Sequence, residues 1–316
     1  MMQQYREGII MTTFIRITVL GLIVSFGIAD LRAQELYFVD AHSQFDQEVE
    51  GSFILKRMDE GGVYRTILAS RRQRKPGDAV VLAKKYKPRI VASVRSKGGP
   101  YAKNSPKYYK QLRKQVESGK FGAIAELLVF HAQKGDKAEQ VKISLDDRRV
   151  QTALKYAIDQ GWPFVVHIEF ASLKGAERND YMQQLNNFLD ANKSEPIAMI
   201  HMGQLPLEDV ATLIKAHSNI YFLTSHADPV SAEDAQQPWI NMMDGDKFTP
   251  QWKQLISEHP DRFIFAMDNV WAFQWQDTYM RHIKVWRSAL AELPTEVANA
   301  VAHGNAELLW KLSPKP

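Results

Sequence analysis

The stretch Phe164-Val165-Val166-His167-Ile168-Glu169-Phe170 decides the fold. It is too short for a helix of its own, and it is rich in Val, Ile and Phe, as a strand buried on both faces should be. The segment after it, Asp180–Asn192, places Tyr181, Leu185, Phe188 and Leu189 at helical spacing, so one side is apolar. A second short run, Ile197-Ala198-Met199-Ile200-His201, then follows. Strand, helix, strand is the repeating unit of a parallel sheet.

Outward from this unit the alternation runs the length of the chain. Short apolar runs precede it at Leu36–His42, Gly62–Ser70, Arg89–Val94 and Gly122–Phe130, and follow it at Ile220–Thr224 and Arg262–Asp268. Amphipathic stretches separate them at Asp78–Tyr86, Pro106–Ser118, Asp147–Gln160, Pro206–His217 and Pro250–His259. Pro206, with Glu208 and Asp209 behind it, has the form of a helix start, acids lying near the positive end of the dipole. Eight such units give an α/β fold, either a closed parallel barrel or a long doubly wound sheet, and the count of eight favours the (β/α)8 TIM barrel. The tail, Thr278–Leu312, carries Trp286, Leu290, Leu293, Leu308 and Leu309 and predicts C-terminal closing helices. No internal repeat or linker divides the barrel, so one domain is expected over 34–316.

Composition narrows the function classes. With 45% hydrophobic and 24% charged residues the chain is not a disordered one. It has no cysteine, which excludes disulfides, thiolate nucleophiles and cysteine-ligated metals. A net charge of +4 is too small to argue for nucleic acid. Residues 1–33 read as a signal peptide: Arg6 and Arg16 precede the apolar run Ile17–Ala29, and Gly27, Ala29 and Ala33 offer cleavage points. The expectation is an exported protein, periplasmic or secreted, with no membrane contact once the signal is removed; an uncleaved N-terminal anchor is the alternative. Homo-oligomerisation stays open.

Buried parallel strands should be apolar throughout, yet several here carry a histidine or a carboxylate at the C-terminal end. The first gives Asp40-Ala41-His42-Ser43-Gln44, the fourth Glu126, the fifth His167 and Glu169, the sixth His201-Met202-Gly203, and the eighth Ala266-Met267-Asp268. In a barrel these positions gather at one mouth, where the fold builds its sites. Imidazoles and carboxylates together are the donor set of a divalent metal, zinc or a similar ion, that activates water.

The order of these residues is where the chain resembles the amidohydrolase superfamily, in its amidohydrolase-related group of metal-dependent hydrolases and decarboxylases. The similarity runs from Val39 to about Leu312 and is carried by Asp40-Ala41-His42-Ser43, His201-Met202-Gly203 and Gly304-Asn305-Ala306-Glu307-Leu308-Leu309. The resemblance implies that His42 and His167 are metal ligands and that Asp268 contacts the metal and takes a proton from the attacking water. It implies that His201 is a second ligand or a polarising acid, and that Glu126 is an acid beside the site. The family opening is His-x-His, whereas this chain reads His42-Ser43-Gln44. Gln44 is then a weak or outer ligand of one metal, a sign of a harder ion such as manganese, or the mark of a lost metal. No lysine stands among the strand-four polar positions, which argues against a carbamylated-lysine binuclear centre.

The loops after the second and third strands are basic, Ser70-Arg71-Arg72-Gln73-Arg74-Lys75 and Arg95-Ser96-Lys97. Arginine grips carboxylates and phosphates through paired hydrogen bonds, so Arg71, Arg72, Arg95 and Lys97 predict a small anionic substrate, against the bland alternative of a solvated surface. Pro238–Met243 and Val270–Trp275 are aromatic-rich, and Trp271 and Trp239 are candidates to line a lid, the alternative being that they pack the closing helices. His226 and Asp228 open the long loop Ser225–Thr249 and are expected within reach of the site. The leading expectation is a hydrolase of a C–O or C–N bond (lactone, ester or amide). The rivals are a decarboxylase or lyase, a degenerate metal-free barrel that only binds a ligand, and a metal-dependent phosphoesterase.

Overall fold

The computed structural model describes residues 36–135, 139–234 and 237–316. The expected signal peptide lies outside the described residues. Every short apolar run of the sequence forms a strand: β1 Phe38–Phe45, β2 Val63–Ser70, β3 Ile90–Val94, β4 in two pieces at Ala123–Ile124 and Leu127–His131, β5 Phe164–Ile168, β6 Ile197–Met199, β7 Ile220–Leu223 and β8 Phe263–Ile264. All pair in parallel with their neighbours in the order β1-β2-β3-β4 and, from the second piece of β4, β4-β5-β6-β7-β8. The ring closes between β1 and the chain following β8: Ala41 N donates to Phe265 O at 3.0 Å, Gln44 N to Asn269 O at 2.7 Å, and Asp268 N to His42 O at 2.7 Å. This is the expected TIM barrel.

Alternate strand residues fall into two apolar clusters, as a period of two requires. Val39, Ala41, Ile67, Ala123, Val165, Ala198, Leu223 and Ile264 form one. Phe38, Leu68, Val94, Phe164, Val166, Ile197, Met199, Phe222 and Phe263 join the larger one, in which the surrounding helices pack. Those helices are α1 Gly51–Gly61, α2 Pro76–Lys85, α3 Pro106–Val116, α4 Arg148–Gln160, α5 Gly175–Ala191, α6 Leu207–Ala216, α7 Pro250–Glu258 and α8 Asp277–Leu290. Asp147 caps α4 by accepting from Arg149 N at 2.8 Å, and Gly161 ends it in the left-handed conformation. Helix α1 has no counterpart in the periodicity reading, because Gly51, Ile54, Met58 and Gly61 are its buried residues and two of them are glycines.

The tail closes the opposite end from the strand termini that carry histidines. Asn305 Nδ2 donates to Phe263 O at 2.7 Å, and His303 stacks on Tyr37 with ring centroids 3.9 Å apart, both contacts at strand beginnings. The long loop after β7 is structured by a helix, Pro229–Asp234, and by a small hairpin, Met243–Asp244 with Lys247–Phe248. Among the described residues no helix is long and apolar enough to cross a membrane.

Candidate active site

Irregular backbone at the strand ends is what aims the polar side chains. β4 breaks at Ala125-Glu126, so Glu126 leaves the ladder, and it is 1% exposed. After β6, His201, Met202, Gly203 and Gln204 have φ of 54°, 56°, 63° and 52°, a left-handed turn in which only the glycine is at ease. Left-handed backbone costs side-chain-bearing residues roughly 1–2 kcal/mol each, and such strain collects at functional sites. His226 and Asp268 share it, with φ of 58° and 48°.

Glu126 and Asp268 are the hubs. His167 Nδ1 lies 2.5 Å from Glu126 Oε2, and Lys97 Nζ contacts Glu126 Oε1. The Gln44 amide nitrogen donates to Asp268 Oδ1 at 2.8 Å and to Glu126 Oε1 at 3.3 Å. His42 Nε2 stands 3.4 Å from Asp268 Oδ1 and 3.7 Å from Glu126 Oε1, yet is buried without a hydrogen-bond partner among the described residues. His201 Nε2 and His226 Nε2 flank the other oxygen of Asp268 at 3.5 and 3.6 Å. Ser225 Oγ accepts from His201 N and lies 2.9 Å from His201 Nδ1. A hydroxyl proton given to Nδ1 leaves the imidazole's own proton on Nε2, facing Asp268.

Charge follows from these contacts. Burial disfavours an ionised Glu126, but the Lys97 ammonium and His167 outweigh it and hold the carboxyl well below the usual range. Asp268 is likewise held low, against its burial, by His226 and His42. Burial also opposes a charged His42, but the Asp268 and Glu126 carboxylates facing it push it up to about 9. His201 goes the other way, driven down by burial and by His226 beside it, and is neutral. Asp40, whose Oδ1 accepts from His42 N and Met267 N, is pushed up to about 7 by burial.

Most of the expected residues converge on this mouth, where Gln44, His167 and Lys97 make contacts the sequence did not indicate, and Asp228 points elsewhere. Gln44 meets the carboxylates through its amide nitrogen rather than as an oxygen ligand; two acceptor-only groups need donors, and the amide has two. His167 turns to Glu126, which stands between it and the pair His42 and Asp268. Lys97 points inward at Glu126 instead of outward at an anion. Asp228 does not face the site: it binds His282 Nδ1 at 2.8 Å and Trp286 Nε1 at 2.9 Å and so fastens the β7 loop to α8.

Beside the hubs lies a cleft of about 250 Å3 lined by Gln44, Arg71, Arg72, Arg95, Ser96 and Lys97 among others. Trp271 lies against Arg71 and Arg72, whose guanidinium carbons are 4.4 and 4.1 Å from its ring centre. Arg72 also faces Asp46 at 3.7 Å, and Arg95 donates to the carbonyls of Arg72 and Arg74, holding the β2 loop. Arg71 gives Nη1 to Val270 O at 2.6 Å. Trp239 covers His201 and His226 at centroid distances of 4.9 and 4.7 Å, whereas Trp275 is buried and donates to Gln44 O. Trp275 thus packs against β1, while Trp239 lies over the site imidazoles. Glu169, in the fifth strand's motif but assigned no role there, lies 3.2 Å from His167 Nε2 and pairs with Lys134 at 2.8 Å.

A divalent ion fits these residues. Ligand atoms about 2.1 Å from one tetrahedral ion stand about 3.4 Å apart, close to the spacings around the unpartnered His42 Nε2. His42, Glu126 and Asp268 form one group with metal-ligand spacing, and Glu126, His167 and His201 form another.

Residues 80–312 match a family model described as amidohydrolase. Among solved structures the fold is similar to an uncharacterised TIM-barrel protein of Bordetella bronchiseptica, with a TM-score of 0.57 and 13% identity over 88% of this chain and 99% of that one. It is similar to 5-carboxyvanillate decarboxylase of Novosphingobium aromaticivorans, complexed with manganese and 4-hydroxy-3-methoxy-5-nitrobenzoic acid (TM-score 0.54, 13% identity, 88% and 97% covered). It is also similar to a 2,6-dihydroxybenzoate decarboxylase complexed with 2,6-dihydroxybenzoate (0.55, 14%, 87% and 99%). No curated protein matches. At these identities the structural likenesses speak for the fold alone.

Proposed function

The chain belongs to the amidohydrolase family, and on that premise we propose that it is a metal-dependent hydrolase opening a C–O or C–N bond, in a lactone, ester or amide, of a small anionic substrate. One observation carries the reading. The unpartnered His42 Nε2 faces the Asp268 and Glu126 carboxylates beside a cleft lined by arginines. His42, Asp268 and Glu126 would hold one divalent ion, zinc first and manganese second, with His167 bracing Glu126. When bound, such an ion polarises substrate oxygens and acidifies water.

The chain's own groups divide the rest. Asp268, ionised and flanked by imidazoles, accepts a proton from water at Oδ2. Neutral His201, held by Ser225, presents its Nε2 proton to a developing negative charge on the substrate. Gln44 fixes both carboxylates, Arg71 takes the substrate's anionic group, and Trp239 shields the imidazoles from solvent. We further place the mature chain outside the cytoplasm, on the strength of the sequence at 1–33. N-terminal sequencing of the protein from an exported fraction tests that placement, and an intact Met1 in the cytosol would refute it.

Decarboxylation is the second reading. Arginines packed on Trp271 suit an aromatic acid, and two of the similar structures are decarboxylases of that substrate type. The test is a panel of aryl lactones, esters, amides and hydroxybenzoates given to the zinc- and manganese-loaded protein. Acid release without carbon dioxide supports hydrolysis, and carbon dioxide release supports the second reading. Turnover of neither class would remove both.

A further inference from the structure

Both lone pairs of Glu126 Oε1 are in use: Lys97 Nζ touches it and Gln44 Nε2 donates to it from 3.3 Å, while Oε2 is taken by His167. A carboxylate oxygen accepts about two hydrogen bonds, so an ion drawing on Oε1 requires a partner to leave. His42 and Gln44 are fixed in β1 and are each 2% exposed. Lys97 stands on the loop after β3 with its side chain 27% exposed. Next to it Gly98 has φ 123° and ψ −176°, backbone that residues with a Cβ avoid. Its ammonium is a point charge on a flexible stem, and the cleft shared with Arg71 and Arg95 lies beside it.

Resting on the metal reading above, we propose that Lys97 is the resident cation of the metal-free site. Its ammonium fills the place of the divalent ion at Glu126, and the ion enters only as Lys97 leaves. The released ammonium turns into the cleft and joins Arg71 in gripping the substrate's anionic group. Metal and anion each favour the state in which Lys97 has left Glu126, so their binding is coupled, and the coupling is reciprocal. A lysine that only anchored its loop would give no such coupling.

The test is the affinity of the purified protein for Mn2+, by competition with a chelating dye, with and without benzoate as the anion probe. In the wild type saturating benzoate tightens Mn2+ binding about fivefold or more. Lys97→Met binds Mn2+ about tenfold tighter than the wild type, with little further gain from benzoate. Lys97→Arg, which keeps the charge, binds it no tighter than the wild type. Lys97→Gln guards against a folding defect in the first variant and should follow the same order. Equal or weaker Mn2+ binding by both neutral variants, with the benzoate response intact, overturns the role of Lys97 while leaving the metal site standing. No Mn2+ binding by the wild type and the neutral variants alike overturns both.

Discussion

Replacing Gln44 with histidine gives the chain the family's His-x-His opening, and the structure sets two opposing effects. The amide nitrogen now donates to Asp268 at 2.8 Å and to Glu126 at 3.3 Å, both buried and both ionised. A hydrogen bond to a charged group contributes about 1.5–3 kcal/mol, and one imidazole N–H replaces at most one of the two, so the metal-free variant loses about 2 kcal/mol. For a domain of this size that lowers Tm by roughly 3–4 °C. With metal the sign reverses, because the imidazole is a better zinc ligand than an amide. A hundredfold gain in affinity returns about 2.7 kcal/mol. Thermal unfolding followed by circular dichroism, in EDTA and in saturating Zn2+, reads both effects. The variant should melt below the wild type in EDTA and at or above it in Zn2+. Equal melting in EDTA together with an equal zinc shift would show that the Gln44 amide is not what holds the carboxylates.

The remaining predictions concern protons, packing and the anion. Metal must displace the proton from His42, whose pKa is pushed up to about 9, so zinc affinity should rise steadily from pH 6 to pH 9; a flat profile by chelator competition contradicts it. Asp40 is protonated more readily folded than unfolded, its pKa raised from 3.8 to about 7, so its contribution is full below the unfolded value and is lost as pH rises through about 7. Asp40→Asn, which keeps the Oδ1 acceptor, should therefore gain stability relative to the wild type between pH 5 and pH 8 in EDTA, as urea titrations would show. Asp228→Ala strips buried partners from His282 and Trp286 and should cost about 2–4 kcal/mol in the same titrations, with Mn2+ affinity nearly unchanged. Arg71→Met should weaken benzoate binding to the metal-loaded protein about tenfold or more, and unchanged benzoate affinity would take Arg71 out of the anion site.

The barrel was legible because its cues are local. Val, Ile and Phe runs mark all the strands, and Tyr181, Leu185, Phe188 and Leu189 are buried on α5 as their spacing predicts. The convergence of His42, Glu126, His167, His201 and Asp268 was legible as well, since parallel strands bring their C-terminal ends together. Side-chain direction was not legible. Lys97 turns inward after a loop whose conformation rests on the backbone of Gly98, and Glu126 comes between His167 and His42 because β4 breaks at it. His226 reaches Asp268 while Asp228, two residues on, is drawn away by His282 on α8, a contact of long sequence separation that no local pattern encodes.

The proposed chemistry depends on a metal centre built on His42, Glu126 and Asp268. Elemental analysis of protein purified without a metal-affinity tag, alongside His42→Ala and Asp268→Ala, tests it most directly. About one equivalent of zinc or manganese is expected in the wild type and little in either variant. Absence of metal from the wild type even after incubation with excess ion, or its retention in both variants, would contradict it.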